Sequence, residues 1–173
     1  MKKVYIIGMG IGNKDFIHKK AMDSIEKCSS LIGAKRMVCS FSYLNKEVFE
    51  STDAKTIYEY IDNNNEYENF GVLVSGDTGF YSLSKKLTEL LMENSKIEIE
   101  NIPAIGSLQY FSSKLNLSWD NIKYLSAHGR SLNIVSNVIF NKKIFMLTGG
   151  ELKPDNICEI LANKGLGHLK VNV

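Results

Sequence analysis

The residues of this chain best suited to chemistry gather in short glycine turns that follow apolar runs. Gly76-Asp77-Thr78-Gly79-Phe80 follows the most apolar run, residues 70–74, and leads into an amphipathic stretch. Gly8-Met9-Gly10-Ile11-Gly12 follows residues 4–7 in the same way, and Thr148-Gly149-Gly150 follows residues 144–147. Glycine admits positive φ and lets a ligand approach the backbone, and a loop running from the carboxyl end of a strand into a helix exposes N–H groups. Two such loops from one sheet predict one cleft. Asp77 can accept hydrogen bonds from hydroxyl, ammonium or amide groups, and an N-cap on the next helix is its ordinary alternative. Ser107, after the turn Pro103-Ala104-Ile105-Gly106, has the same two readings, as a cap or as a hydroxyl facing the cleft. Arg36 and Arg130 are the only arginines. Each follows an apparent strand, where a guanidinium fork either grips a carboxylate or stands in solvent.

Several chemistries are excluded. The dinucleotide fingerprint needs glycines at its first, third and sixth places, but Asn13 holds the sixth here and no acidic residue closes the second strand at Ala34-Lys35-Arg36. Cys28, Cys39 and Cys158 are odd in number and lack CxxC spacing, against both a disulfide framework and a zinc site; ordinary, partly buried thiols are expected, with no metal. The 21 basic residues are scattered among 19 acidic ones for a net charge of +2, which is not the footprint of a nucleic-acid binder. The amino-terminal apolar run is too short for a secretory core or a membrane span, so a cytoplasmic protein with no membrane partner is expected.

These loops need strands and helices to position them, and 173 residues with 44% apolar content suffice for one large domain or two α/β lobes. Strand patterns fall at residues 4–7, 30–33, 48–49, 70–74, 97–102, 122–126, 144–147 and 169–173. Helical patterns fall at 15–28, 52–63, 80–92, 108–115, 132–140 and 155–163. The pattern restarts at Pro103, which predicts an amino-terminal α/β lobe over 1–102 and a carboxy-terminal α/β lobe over 103–173. The last run stops in mid-strand, so the second lobe is expected to be incomplete at its end.

Over nearly its whole length the chain resembles the S-adenosylmethionine-dependent tetrapyrrole methylases. The early glycine motif corresponds to Gly8-Met9-Gly10-Ile11-Gly12, the GDP-type loop to Gly76-Asp77-Thr78, and the PGxSS-type segment to Pro103-Ala104-Ile105-Gly106-Ser107. Thr78 and Ile11 stand where the family usually has proline. Ser75-Gly76-Asp77-x-Gly79-Phe80-Tyr81-Ser82, Ser107-Leu108-Gln109-Tyr110, Leu117-x-Trp119 and Leu125-Ser126-x-His128-Gly129-Arg130 look most like the branch that methylates C5 of precorrin-7 in cobalamin biosynthesis.

The resemblance implies a two-lobed fold with S-adenosylmethionine folded between the lobes. It implies cofactor contacts from Gly8, Met9 and Gly10, from Gly76, Asp77, Gly79 and Phe80, from Ala104, Ile105 and Ser107, and from His128, Leu147, Thr148 and Gly149. His128 and Asp77 become candidate catalytic groups, and Arg36, Tyr81 and Arg130 candidate substrate contacts. The implied substrate is an anionic corrinoid, (cobalt-)precorrin-7. The implied partners are a second copy in a homodimer and a separate decarboxylating enzyme for the C15 methylation. Two other readings stay open: a methylase of the same fold acting on ribosomal RNA or a protein, and a non-catalytic protein that only binds a small ligand.

Overall fold

An apolar run without alternation is the pattern of a strand covered on both faces. It forms β1 (Lys2–Gly8), whose last five residues are all buried. In the computed structural model, which describes residues 1–127 and 132–173, β1 is followed by α1 (Lys19–Lys27), β2 (Ser30–Gly33), α2 (Lys35–Val38), β3 (Glu47–Glu50), α3 (Ala54–Asn63), β4 (Asn69–Val74), α4 (Ser84–Met92), β5 (Ile97–Ile102) and α5 (Ser107–Lys114). Then come β6 (Lys123–Ser126), α6 (Ile134–Phe140), β7 (Ile144–Leu147) and α7 (Pro154–Asn163). The fold is α/β with parallel sheets. The chain forms two compact units, Met1–Phe111 and Ser112–Val173, so the Pro103 turn lies within the first.

The first unit is a parallel sheet of order β3-β2-β4-β1-β5. Because side chains alternate along a strand, Tyr5, Ile7, Leu31, Leu73 and Ile102 meet Ala21 and Ile25 of α1 and Met37 and Val38 of α2. Val4, Ile6, Ile32, Phe70 and Val72 meet Ile57 and Ile61 of α3 and Leu87 and Leu91 of α4 on the other face. Each fully buried Ile or Leu contributes about 1.5–3 kcal/mol, and both faces need such cover. On the outer strand, Glu100 receives Lys20 of α1 at 2.7 Å and Lys3 at 3.3 Å, and these ammonium groups hold its carboxyl below the usual carboxylate range. In the second unit β6 and β7 pair in parallel, and Ile134, Ile157 and Leu161 of α6 and α7 form a small core.

Three expectations require correction. The helix read over 15–28 is broken: Lys14–Phe16 is a 3-10 turn capped by Asn13, and the helix proper begins after His18, which is extended (φ −75°, ψ 159°). Phe16, inside the range read as helix, lies in that turn and packs edge-on against Tyr110 with ring centroids 5.3 Å apart. The helix read over 80–92 starts at Ser84, because Tyr81 has φ +48°, which a right-handed helix does not admit. Residues 169–173 form no strand. Leu169, Val171 and Val173 alternate as a strand would, yet they stand exposed without a ladder partner among the described residues.

The thiols also differ from one another: Cys28 is buried, Cys39 exposed and Cys158 in between. Burial pushes the Cys28 thiol up to about 12, and its Sγ donates to the Ser24 carbonyl at 3.0 Å. Gly71 of β4 lies directly beneath it. A Cβ there would fall 2.9 Å from both Cys28 Sγ and Leu31 Cδ2. Gly71→Ala is therefore expected to lower stability by about 1–3 kcal/mol through overpacking, measured by urea unfolding. An unchanged midpoint would refute the close packing of α1 on β4.

Candidate functional site

β4, β1 and β5 are neighbours and run parallel, so their carboxyl ends place three loops side by side at one edge of the first unit. The first two loops are joined by backbone. Gly10 N–H donates to the Gly76 carbonyl and Gly76 N–H to the Gly10 carbonyl, both at 3.1 Å, while Met9 N–H donates to Val74 at 2.8 Å. Gly10 and Gly76 have φ of +58° and +72°, a region that side chains with a Cβ seldom enter. The third loop closes on the first. A Cβ on Gly8 would meet Ala104 Cβ at 2.9 Å, and one on Gly10 would meet the Ile105 carbonyl at 3.1 Å.

Asp77 ties the second loop to the third. Its Oδ1 accepts from Gly79 N–H at 2.8 Å and its Oδ2 from Ala104 N–H at 2.9 Å. The residue is thus neither the N-cap of α4, which Leu83 precedes without a side-chain cap, nor a carboxylate standing free. Charge-assisted bonds of this kind contribute about 1.5–3 kcal/mol each. Space remains above the loops: nothing lies within 4 Å of a Cβ built on Gly76. Among the described residues, the N–H groups of Asp77, Thr78 and Ile105 take no hydrogen bond within the chain.

Arg36, in α2 at the carboxyl end of β2, reaches the same edge, and its Nη2 donates to Ser75 Oγ at 3.1 Å. The exposed Tyr81 ring stands edge-on to Phe80 with centroids 5.0 Å apart. Of the residues named from the sequence, the first unit therefore brings Gly8, Gly10, Gly76, Asp77, Gly79, Ala104 and Ile105 together, with Arg36 and Phe80 on the same loops' flanks. Ser107 begins α5. Met9 is the exception, since its side chain belongs to the core beneath the loop. Leu147, Thr148 and Gly149 belong to the second unit, at the end of β7, where Gly149 and Leu152 exchange backbone hydrogen bonds at 3.2 and 3.1 Å. His128 and Arg130 lie outside the described residues.

One residue of the site escaped the sequence reading. His18 Nε2 lies 2.7 Å from the Pro103 carbonyl, at the root of the third loop. A recess at the opposite, amino end of the sheet, lined by Lys2, Asp62, Asn94 and Lys96, has engaged walls: Lys2 Nζ donates to the Ile61 and Asp62 carbonyls at the end of α3, and Asn94 donates to Asp62.

Comparison with known proteins gives a concordant result. The family described as Tetrapyrrole (Corrin/Porphyrin) Methylases matches residues 3–171. The chain is 29% identical over 168 residues to a probable cobalt-precorrin-7 C(5)-methyltransferase of Methanocaldococcus jannaschii, covering 94% of this chain and 78% of that protein. It is 25% identical to the cobalt-precorrin-7 C(5)-methyltransferase of Salmonella typhimurium, covering 94% and 79%. The crystal structure of the precorrin-6Y methylase from Archaeoglobus fulgidus superimposes with a TM-score of 0.67 at 18% identity, covering 86% of this chain and 74% of that one, which establishes likeness of fold.

Asp77→Asn tests the bridge. An amide side chain keeps one acceptor oxygen but turns an NH2 toward the other backbone donor, a change that costs about 1–3 kcal/mol locally. Hydrogen exchange at Gly79 or Ala104 is expected to quicken about tenfold or more while the sheet amides keep their protection. Equal protection at both loop amides would show that the carboxylate does not hold them.

Proposed function

The chain belongs to the tetrapyrrole (corrin/porphyrin) methylases, a family of methyltransferases, and from that membership we propose that it transfers a methyl group from S-adenosylmethionine to C5 of cobalt-precorrin-7. The observation that carries this reading is the meeting of the Gly8–Gly10, Gly76–Gly79 and Ala104–Ile105 loops at one edge of the first unit. The substrate is inferred from two relatives that bear this activity in their names and align with 94% of the chain.

The residues present fit the donor. Open space above Gly76 admits a ligand close to the backbone, and the N–H groups of Asp77, Thr78 and Ile105 are available to its polar atoms. Gly10, Gly76, Gly79, Ala104 and Ile105 would hold it, with Phe80 and Ser107 of the same unit as further contacts. S-adenosylmethionine, when bound, supplies a methyl group on a sulfonium that leaves as a neutral thioether, so no strong base is needed to activate the donor.

The protein's work is then to orient donor and acceptor and to exclude water. Asp77 serves this end by fixing the second and third loops, both of its oxygens accepting backbone N–H groups. Arg36 uses one nitrogen on Ser75 and keeps the rest of its fork for a carboxylate of the corrinoid. Tyr81 offers an exposed ring nearby. Arg130 is assigned a second carboxylate, and His128 a hydrogen bond to the substrate or the removal of its proton.

Incubation with cobalt-precorrin-7 and methyl-labelled S-adenosylmethionine is expected to give one labelled methyl group, at C5 by carbon NMR, with equimolar S-adenosylhomocysteine. Tight binding of S-adenosylhomocysteine without transfer would make the chain a binding protein instead. Arg36→Ala is expected to raise the substrate KM about tenfold or more. A KM equal to that of the parent protein would remove Arg36 from the substrate site.

A further inference from the structure

The Pro103–Ala104 peptide is held at both ends. Its carbonyl accepts from His18 Nε2 at 2.7 Å, and its N–H donates to Asp77 Oδ2 at 2.9 Å. A peptide group is planar, with its C=O and N–H pointing in opposite directions, so two such anchors leave it little freedom to turn. That orientation sets Ala104 Cβ against Gly8 and the Ile105 carbonyl over Gly10.

We propose that His18 is a positioning residue for the cofactor loops: as the neutral Nε2–H tautomer, it fixes the Pro103–Ala104 peptide so that Ala104 and Ile105 present their backbone to the donor. The tautomer follows from its neighbours. A carbonyl faces Nε2 and demands a proton there, while Nδ1 faces the Ala21 N–H at 3.3 Å and must be an acceptor. The same ring therefore caps α1 and tethers the third loop. The tether is the shorter bond, and Ala21 N–H also reaches the His18 carbonyl at 3.0 Å. The helix that carries His18 is itself anchored, by buried Ala21 and Ile25 and by the Lys20–Glu100 pair on β5, the strand that leads to Pro103. The usual capping residues Ser, Thr, Asn and Asp can serve the first role. Their side chains are shorter than the path from imidazole Cβ to Nε2, so they leave the Pro103 carbonyl without its donor.

The proposal rests on the cofactor reading for its purpose but not for its geometry, and the test separates the two. Long-range nitrogen–proton NMR on the free protein is expected to find the proton of the His18 ring on Nε2; a ring protonated on Nδ1 alone overturns the tether. His18→Asn keeps a capping oxygen but does not reach Pro103. It is expected to quicken exchange at the Ala104 amide and to weaken S-adenosylhomocysteine binding about three- to tenfold, with the thermal midpoint unchanged. His18→Gln, whose amide extends farther, is expected to restore part of both. Unaltered Ala104 exchange and unaltered affinity in His18→Asn overturn the proposal. If the parent protein fails to bind S-adenosylhomocysteine while His18→Asn still quickens Ala104 exchange, the tether stands and the cofactor reading falls.

Discussion

The site depends on the joining of three loops whose ends the sheet brings close but does not connect. Parallel pairing of β4, β1 and β5 sets their carboxyl ends side by side. The two Gly10–Gly76 hydrogen bonds then join the first loop to the second, and the Asp77 carboxylate joins the second to the third. Both glycines of this contact hold a positive φ that a residue with a Cβ seldom adopts, and the carboxylate offers a separate acceptor oxygen to each of two N–H groups. Glycine in the loops is thus a condition of assembly as well as of ligand approach.

The sheet beneath the loops is their rigid base. Its two faces are closed by helices, and the charged pairs Lys3–Glu98 and Lys20–Glu100 hold the outer strand that delivers Pro103. The helices contribute more than cover. α1 presents His18 at its start, and α2 presents Arg36 at the edge where the loops meet. Elements that a fold diagram treats as packing therefore also supply polar groups at the edge where the loops meet.

Much of this was legible in the sequence, because β1, β2 and β4 are largely apolar runs that end at or just before a glycine, β5 ends at Pro103, and the strand bounds of the first unit fall within a residue or two of the pattern. Helix starts were less legible. Phe16 and Phe80 fit the helical period but pack as ring pairs in the preceding turns. The period recorded that these rings are apolar and partly covered, not the conformation of their backbone. The alternation of Leu169, Val171 and Val173 shows the same limit, since a strand is defined by its partner and no one-dimensional pattern contains the partner. Asp77 was recognised as a polar group in the right loop, but the choice between cap and bridge turned on Ala104, a residue 27 positions away. His18 was invisible for the same reason: its partner, Pro103, lies 85 positions on.

The central claim is that the loops at the carboxyl edge of the first sheet receive S-adenosylmethionine. Backbone amide NMR with S-adenosylhomocysteine, the demethylated product of the donor, tests it most directly. The account predicts saturable shifts that move together at Gly10, Gly76, Asp77, Gly79, Ala104 and Ile105, with Lys2, Asn94 and Lys96 at the opposite end of the sheet unaffected. Shifts centred on that amino-end recess, with the glycine loops silent, would contradict it.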